Sequence, residues 1–94
     1  MKKPNNRIKM DRQSFGVGEE KQVRKKLKDI SVAIKLLRIR AGLSQDQLAL
    51  VTRSSASTIR SIEQGQRVPS LPMILKLDYY FTKYLNINYS ILEV

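Results

Sequence analysis

Residues 42–65 read GLSQDQLALVTRSSASTIRSIEQG, and this stretch decides the fold. Ser44 and Ser55 each precede a segment that suits a short helix, because a serine hydroxyl accepts hydrogen bonds from the free N–H groups of a first helical turn. Arg53-Ser54 forms a tight turn between the two segments. Gly65 ends the second one, since glycine takes the left-handed conformation after a helix at low cost. The stretch therefore predicts two short helices joined by a turn.

The two predicted helices run from Gln45 to about Thr52 and from Ala56 to Gln64. Their apolar residues recur at helical spacing and predict the inward face: Leu48, Ala49, Ile59 and Ile62. Ala49 is small at the place where the helices cross, so we expect the two backbones to approach closely. The second helix then presents mostly short side chains outward, at Ala56, Ser57, Arg60 and Ser61.

A longer helical region is predicted upstream. Its apolar residues are spaced alternately by four and three and form one stripe: Val23, Leu27, Ile30, Ile34, Leu37 and Ala41. This pattern predicts helix over Glu19–Lys28 and over Ile30–Ala41, and Gly42 supplies the stop. Asp29 leaves an alternative open, because an aspartate at this point could cap a fresh helix that starts at Ile30.

Downstream, the sequence predicts another helix and then a strand. Pro72 fits the first turn of a helix from Leu71 to about Leu85, where its missing N–H costs nothing. Residues 86–94 alternate polar and apolar side chains as far as Ile91, which is typical of a strand. A lone strand must pair with something, so we expect it to pair with its copy in a second subunit. A short strand near the N-terminus is another partner, and a frayed tail is the alternative.

The composition indicates a negatively charged partner. The chain has 94 residues, with 18 lysine and arginine residues against 8 acidic ones, a net charge of +10 and a pI near 10.2. This balance is expected of a protein that binds nucleic acid. A solvated positive surface gives the same count, so charge alone does not decide between the two interpretations.

The composition also excludes several kinds of site. Cysteine and histidine are both absent, which removes disulfides, the usual zinc sites and the commonest general base. The acidic residues beyond residue 29 show no paired spacing for acid–base catalysis: Asp46, Glu63, Asp78 and Glu93. We therefore expect no enzyme, no catalytic residue, no cofactor and no metal. The sequence shows no membrane span and no signal peptide, so a cytoplasmic location is expected.

The chain is predicted to divide into a basic N-terminal arm at 1–29, helical from about residue 19, a helical domain at 30–85 and the terminal strand at 86–94. A mobile arm is expected for the first 18 residues, and an arm that follows DNA phosphates or enters a minor groove is the alternative. Residues 21–28, KQVRKKLK, carry five basic side chains. A solvated face is expected there, with a phosphate contact as the alternative.

A segment of about half the chain resembles a known family. The segment Ile30–Leu77, ISVAIKLLRIRAGLSQDQLALVTRSSASTIRSIEQGQRVPSLPMILKL, resembles the helix-turn-helix domain of the Cro and phage-repressor (Xre-type) regulators. The matching pieces follow in order and cover about half the chain: Leu37-Arg38, Gly42-Leu43-Ser44-Gln45, Leu48-Ala49, Ile59, Ile62-Glu63, Gly65 and Pro69-Ser70-Leu71. The resemblance implies an all-α, compact five-helix domain, similar to the lambda repressor, that binds palindromic operator DNA as a dimer and represses transcription.

The resemblance also implies site residues. Gln45 falls at a phosphate-contacting position, and Ser55, Ala56, Ser57 and Ser61 fall at positions that face base edges. Gln64, Gln66 and Arg67 fall where the family's loop meets the DNA backbone. Neighbouring side chains that could add to base reading are Arg53, Thr58 and Arg60. Arg38 and Glu63 occupy the positions of an interior ion pair. The last helix and the strand supply the predicted dimer interface: Tyr80, Tyr84, Ile87, Tyr89 and Ile91.

Two residues depart from the family pattern. The turn glycine is replaced by Arg53, and the apolar residue after it is replaced by Ser54. A residue with a Cβ costs of order 1 kcal/mol in a left-handed turn, so the turn is either strained or differently shaped. The reading face is also short and lacks the bidentate side chains that discriminate bases best. Phosphate contacts and DNA shape are then expected to supply much of the recognition.

These observations support two function hypotheses. The first is a sequence-specific regulator of transcription, expected to be a repressor, that binds double-stranded DNA as a homodimer. The alternative is a HipB-like antitoxin that binds a toxin, either a HipA-type kinase or a ribonuclease, and also regulates its own operon. Antitoxins of that kind place a strand just after the helical domain, as residues 86–94 would here. A binder of RNA or of a membrane surface is a minor alternative.

Overall fold

The computed structural model describes residues 16–86 and 90–93. Within them the chain forms four α-helices and a closing 3-10 turn: α1 Val17–Arg40, α2 Gln45–Thr52, α3 Ala56–Glu63, α4 Leu71–Leu85 and the turn Ile91–Glu93. This part of the chain contains no strand. The all-α class is therefore confirmed, whereas the expected five helices and C-terminal strand are not supported.

Helix α1 is continuous through Asp29, so the alternative of a fresh helix at residue 30 is wrong. Lys25 Nζ lies 3.0 Å from Asp29 Oδ2, and the carboxylate therefore pairs with the preceding turn instead of capping a new helix. The helix begins after Gly16, whose N–H donates to Glu19 Oε1 at 2.8 Å. It ends at Arg40, and Gly42, two residues later, has a φ of 73° as expected for a glycine stop.

The four helices enclose one apolar core. Buried core residues come from every helix and from the closing turn: Ile30, Ile34, Leu37, Leu48, Ala49, Ile59, Ile62, Ile74, Leu77, Phe81 and Ile91. The inward positions predicted for α2 and α3 are confirmed. The stripe predicted on α1 is buried only in its second half, since Val23 is 44% exposed. The first turns of α1 therefore extend past the core.

Helices α2 and α3 begin at the serine caps that the sequence predicts. Ser44 Oγ accepts the Gln47 N–H at 3.1 Å, and Ser55 Oγ accepts the Thr58 N–H at 3.1 Å. Between the helices, Arg53 takes the left-handed conformation with φ 56° and ψ 47°. The turn thus has the shape that a glycine would favour, built with an arginine. Of the two alternatives left open by the sequence, the structure shows the left-handed turn, which is the strained one for a residue with a Cβ.

The C-terminal segment does not form the predicted strand in the residues that the structure describes. Ile91–Glu93 is a 3-10 turn, and the Asp78 side chain holds its start. Asp78 Oδ1 accepts the Ile91 N–H at 2.8 Å, and Oδ2 accepts the Ser90 hydroxyl at 2.7 Å. Ile91 is fully buried in the core of its own chain, so it offers no surface to a second subunit. Ile87 and Tyr89 lie outside the described residues, as does the arm predicted before residue 16.

The left-handed Arg53 generates a first prediction. Arg53→Gly is expected to raise the free energy of unfolding by about 1 kcal/mol, because glycine has no Cβ to clash in this conformation. Urea unfolding followed by circular dichroism measures the change. Arg53→Ala is the matched control, since it removes the same long side chain but keeps the Cβ. The prediction fails if the glycine variant is no more stable than the alanine variant.

Candidate nucleic-acid interface

A largely buried ion pair fixes the orientation of α3. Arg38 Nε lies 2.6 Å from Glu63 Oε2, and Arg38 Nη2 donates to Oε1 at 3.1 Å, so the two side chains meet in a bidentate pair. Arg38 Nη1 also donates to the Leu43 carbonyl at 2.8 Å. The Glu63 side chain is 2% exposed. The pair therefore connects the end of α1, the segment before α2 and the end of α3 through one carboxylate and one guanidinium.

Gln45 joins this ion pair. Its Nε2 donates to Glu63 Oε1 at 3.1 Å, which leaves the side chain half-buried at the start of α2. The sequence predicts a phosphate contact for Gln45, and the structure gives the residue a structural role as well. Because an amide nitrogen carries two hydrogens, one N–H remains for another acceptor. The phosphate contact stays a prediction.

Helix α3 exposes a narrow polar face opposite its buried isoleucines. Ser57 and Arg60 are exposed, whereas Ala56 and Ser61 are half-buried. The Arg60 side chain forms no hydrogen bond or ion pair with the other residues that the structure describes. The exposed Arg53 side chain is likewise without one among residues 16–86 and 90–93. These two guanidinium groups are the long donors beside an otherwise short reading face.

A small hydrogen-bond cluster ties the start of α3 to the loop that follows the helix. The hydroxyls of Ser55 and Thr58 lie 3.0 Å apart, and Arg67 Nη1 donates to Thr58 Oγ1 at 3.2 Å. Thr58, one of the candidate base-reading residues, therefore already has protein partners. Arg67 is exposed and its contact with Thr58 lies at the surface, so its charge remains available to an anion.

The loop after α3 presents its three predicted contact residues to solvent. Gln64, Gln66 and Arg67 are all exposed. The backbone N–H groups of Gln66 and Arg67 both donate to the Ser61 carbonyl, at 2.9 and 3.2 Å. Gly65 has a φ of 76°, which lets the chain reverse directly after the helix. The loop is thus held against the end of α3.

Sequence reasoning missed the contacts that support the turn at Arg53. Thr52 is 1% exposed, and its hydroxyl donates to the Leu48 carbonyl at 3.0 Å and lies 2.8 Å from Ser54 Oγ. Lys76 of α4 donates to the Thr52 carbonyl at 3.3 Å. A threonine near a helix end is a weak signal, and Lys76 lies 24 positions away in sequence. Nothing in the local pattern indicates this arrangement.

The comparisons with known proteins identify the same unit. A family model described as helix-turn-helix, of the Cro/C1 type, matches residues 34–79. These residues are a helix-turn-helix domain of that family. The family consists of DNA-binding regulators of transcription that are generally not enzymes. The resemblance to Cro and phage-repressor regulators is therefore confirmed, while the HipB-like subtype is not. No curated protein and no solved structure matches the chain.

In this helix-turn-helix domain, α2 and α3 are the two helices of the motif, and α3 is the recognition helix. Helix α1 supplies Arg38 and packs behind them. None of the helices among the described residues has both the length and the apolarity needed to cross a membrane.

The buried ion pair gives a second prediction. Arg38→Met is expected to lower the free energy of unfolding by about 3–5 kcal/mol, because it leaves the buried Glu63 carboxylate without its cation. The double variant Arg38→Met/Glu63→Met should recover most of that loss, since it removes both charges. Denaturant unfolding of both variants provides the measurement.

The exposed pair of Lys25 and Asp29 is the control for this experiment. Lys25→Met breaks a pair whose side chains are 77% and 40% exposed, so it should change stability by less than about 1 kcal/mol. Equal losses for Lys25→Met and Arg38→Met would show that burial of the Arg38–Glu63 pair is unimportant.

Proposed function

We propose that this protein is a sequence-specific repressor of transcription that binds a palindromic operator as a homodimer. The observation that carries the proposal is the position of α3. The buried Glu63 carboxylate, with Arg38 and Gln45, holds this recognition helix so that its apolar side faces the core and its polar side faces solvent. The exposed side then enters a major groove, where base edges can be read.

Electrostatic attraction supports DNA as the ligand. The chain carries a net charge of +10, and the exposed arginines Arg53, Arg60 and Arg67 lie on or beside the recognition helix. Each cation that neutralises a phosphate releases a condensed counterion, so affinity falls as salt rises. This term is independent of sequence, and it steers the protein onto DNA before the bases are read.

Only a few side chains on the exposed face of α3 can contact base edges. Ser57 and Ser61 are short and can bond to several different base edges, whereas Arg60 is long enough for a bidentate contact with guanine. Arg60 is exposed on α3, and its guanidinium forms no hydrogen bond or ion pair among the described residues. We infer that Arg60 makes the most discriminating base contact of each subunit.

Dimer formation is supported by apolar surface on α4. Leu71, Leu75 and Tyr79 recur every four residues and are 57%, 55% and 63% exposed, so they form an apolar stripe on the outside of the domain. Tyr84, predicted at the interface, is 63% exposed, and its ring is tilted by 38° against that of Tyr80 with centroids 5.0 Å apart. It lies on another side of α4, about half a turn around the helix from Leu75. Apolar side chains that recur on one exposed face are typical of interaction surfaces. A second subunit would cover the stripe of Leu71, Leu75 and Tyr79.

The antitoxin alternative rests on the strand expected after the helical domain. The described part of the C-terminal segment is instead a 3-10 turn bound by Asp78, so this support is lost. No contact among the described residues favours a toxin partner over DNA and a second subunit.

The DNA-reading proposal is tested by selecting bound duplexes from a random-sequence library. We expect a palindrome whose half-site centres lie about 10 base pairs apart, one turn of DNA. On that operator, Arg60→Ala should relax the preference at one base position in each half-site and cost about 1–3 kcal/mol of discrimination.

Arg67→Ala is the matched comparison, because it removes the same charge from the loop instead of the helix. It should weaken all DNA sequences about equally and lower the slope of log affinity against log salt by about 1 per bound subunit. Fluorescence anisotropy across a salt series measures both effects. A sequence-selective loss in Arg67→Ala, or a uniform loss in Arg60→Ala, would contradict these roles.

The dimer is tested by analytical ultracentrifugation. Wild-type protein is expected at twice the mass of the chain, and Leu71→Asp and Leu75→Asp should each shift it toward the monomer, since a charge buried in an apolar contact is costly. Leu50→Asp is the control, because Leu50 is 79% exposed on α2 and lies on a different helix. A monomeric wild type, or dissociation by Leu50→Asp alone, would overturn this interface.

A further inference from the structure

A groove lies between the first half of α1 and the loop after the recognition helix. It encloses about 340 Å³, and its polar lining comes from both elements: Arg24, Lys28 and Ser31 on α1, and Gln64 and Arg67 in the loop. Spacings of four and three residues place the three α1 residues on one face of the helix. The groove therefore joins the part of α1 that extends past the core to two of the residues predicted to contact DNA.

The lining of this groove carries positive charge without compensation. Arg24, Lys28 and Arg67 contribute three cations, and no acidic side chain lines the groove. The nearby Asp29 pairs with Lys25. Like charges that surround a small space repel each other and raise the free energy of the folded state. An anion in the groove removes that repulsion.

Ser31 provides a second, independent indication of a ligand. Ser31 lines the groove, the residue is 5% exposed, and its hydroxyl has no hydrogen-bond partner among the described residues. A buried hydroxyl without a hydrogen-bond partner is unfavourable, because it has lost its hydrogen bonds to water. An oxygen of a bound anion would accept this hydrogen bond.

We propose that the groove binds a backbone phosphate of DNA just outside the half-site that α3 reads. This inference rests on the proposed DNA-binding function and extends its contact surface to α1. Arg24, Lys28 and Arg67 supply charge, and the Ser31 hydroxyl supplies a donor. DNA is the occupant because the groove is continuous with the reading face: Arg67, which lines the groove, also bonds Thr58 in the first turn of the recognition helix. The DNA backbone that passes the loop therefore reaches the groove next.

The test compares two duplexes that contain the selected operator, one that ends at the half-sites and one extended by a few base pairs on each side. Wild-type protein and the double variant Arg24→Ala/Lys28→Ala are titrated by fluorescence anisotropy across a potassium chloride series. On the extended duplex, the variant should bind about five-fold more weakly per bound subunit at 0.15 M salt, and its salt slope should fall by about 0.9 per subunit. On the short duplex, the two proteins should bind alike.

Lys35→Ala/Arg40→Ala is the charge-matched control. Lys35 and Arg40 are both exposed, neither lines the groove, and Arg40 lies on the opposite side of α1. This control should bind both duplexes as wild type does. Ser31→Ala provides a second variant in case the double variant does not fold. It should weaken binding only to the extended duplex while leaving the melting temperature equal to that of wild type or higher.

The outcomes separate this inference from the function on which it rests. An unchanged salt slope and equal loss on both duplexes for the groove variants would overturn the phosphate site and leave the DNA-binding function standing. Equal weakening by the Lys35→Ala/Arg40→Ala control would show that only the net charge matters and would also overturn the site. Absence of salt-dependent binding by the wild-type protein to either duplex would overturn both proposals.

Discussion

The fold depends on how one buried carboxylate is satisfied. The Glu63 side chain is 2% exposed, and its oxygens accept hydrogen bonds from Arg38 Nε, Arg38 Nη2 and Gln45 Nε2. A buried charge is costly unless it is paired and hydrogen-bonded, so these donors have little freedom to move. They come from α1 and the first turn of α2, while Glu63 is the last residue of α3. The angle of the recognition helix is thus determined at its C-terminal end by electrostatics and along its length by Ile59 and Ile62.

Because the ion pair and the two isoleucines hold α3, the turn between α2 and α3 can adopt an unfavourable backbone conformation. Arg53 sits in the left-handed region, where a side chain with a Cβ is disfavoured. Contacts on either side of the turn offset this cost. The Thr52 hydroxyl donates to the Leu48 carbonyl of α2 and lies within hydrogen-bond distance of Ser54 Oγ, and Lys76 of α4 donates to the Thr52 carbonyl. An arginine at this position adds a cation beside the reading face that a glycine would not supply. The strain is therefore associated with a side chain that can contact DNA.

The features that the sequence predicts well are those determined by residues close by in the sequence. The caps at Ser44 and Ser55 and the stop at Gly42 follow from backbone chemistry within one helical turn. The features that it misses depend on distant partners. The alternation before Ile91 suits a strand, yet the Asp78 carboxylate, 13 residues earlier, binds the Ile91 N–H and directs the side chain into the core. The alternation of polar and apolar residues shows only how they are spaced. It does not reveal a hydrogen-bond partner that lies far away in the sequence. Within the candidate site, the ion pair was implied by the resemblance, whereas the bond from Arg67 to Thr58 was not.

The amino-acid composition gives the net charge but does not show where the positive charges lie in the fold. Their positions bear on the proposed function. Arg38 is neutralised by Glu63 and Lys25 by Asp29, but Arg24, Lys28 and Arg67 surround a groove without an acid in its lining. A polyanion that enters the groove lowers the repulsion among them, so it binds the folded state preferentially and stabilises it. These cations lie on α1 and the loop, whereas the side chains that we propose to face base edges lie on α3. In the proposed complex, affinity and specificity are carried by different elements, and a change in the α1 cations is expected to alter how tightly DNA is bound without altering which sequence is read.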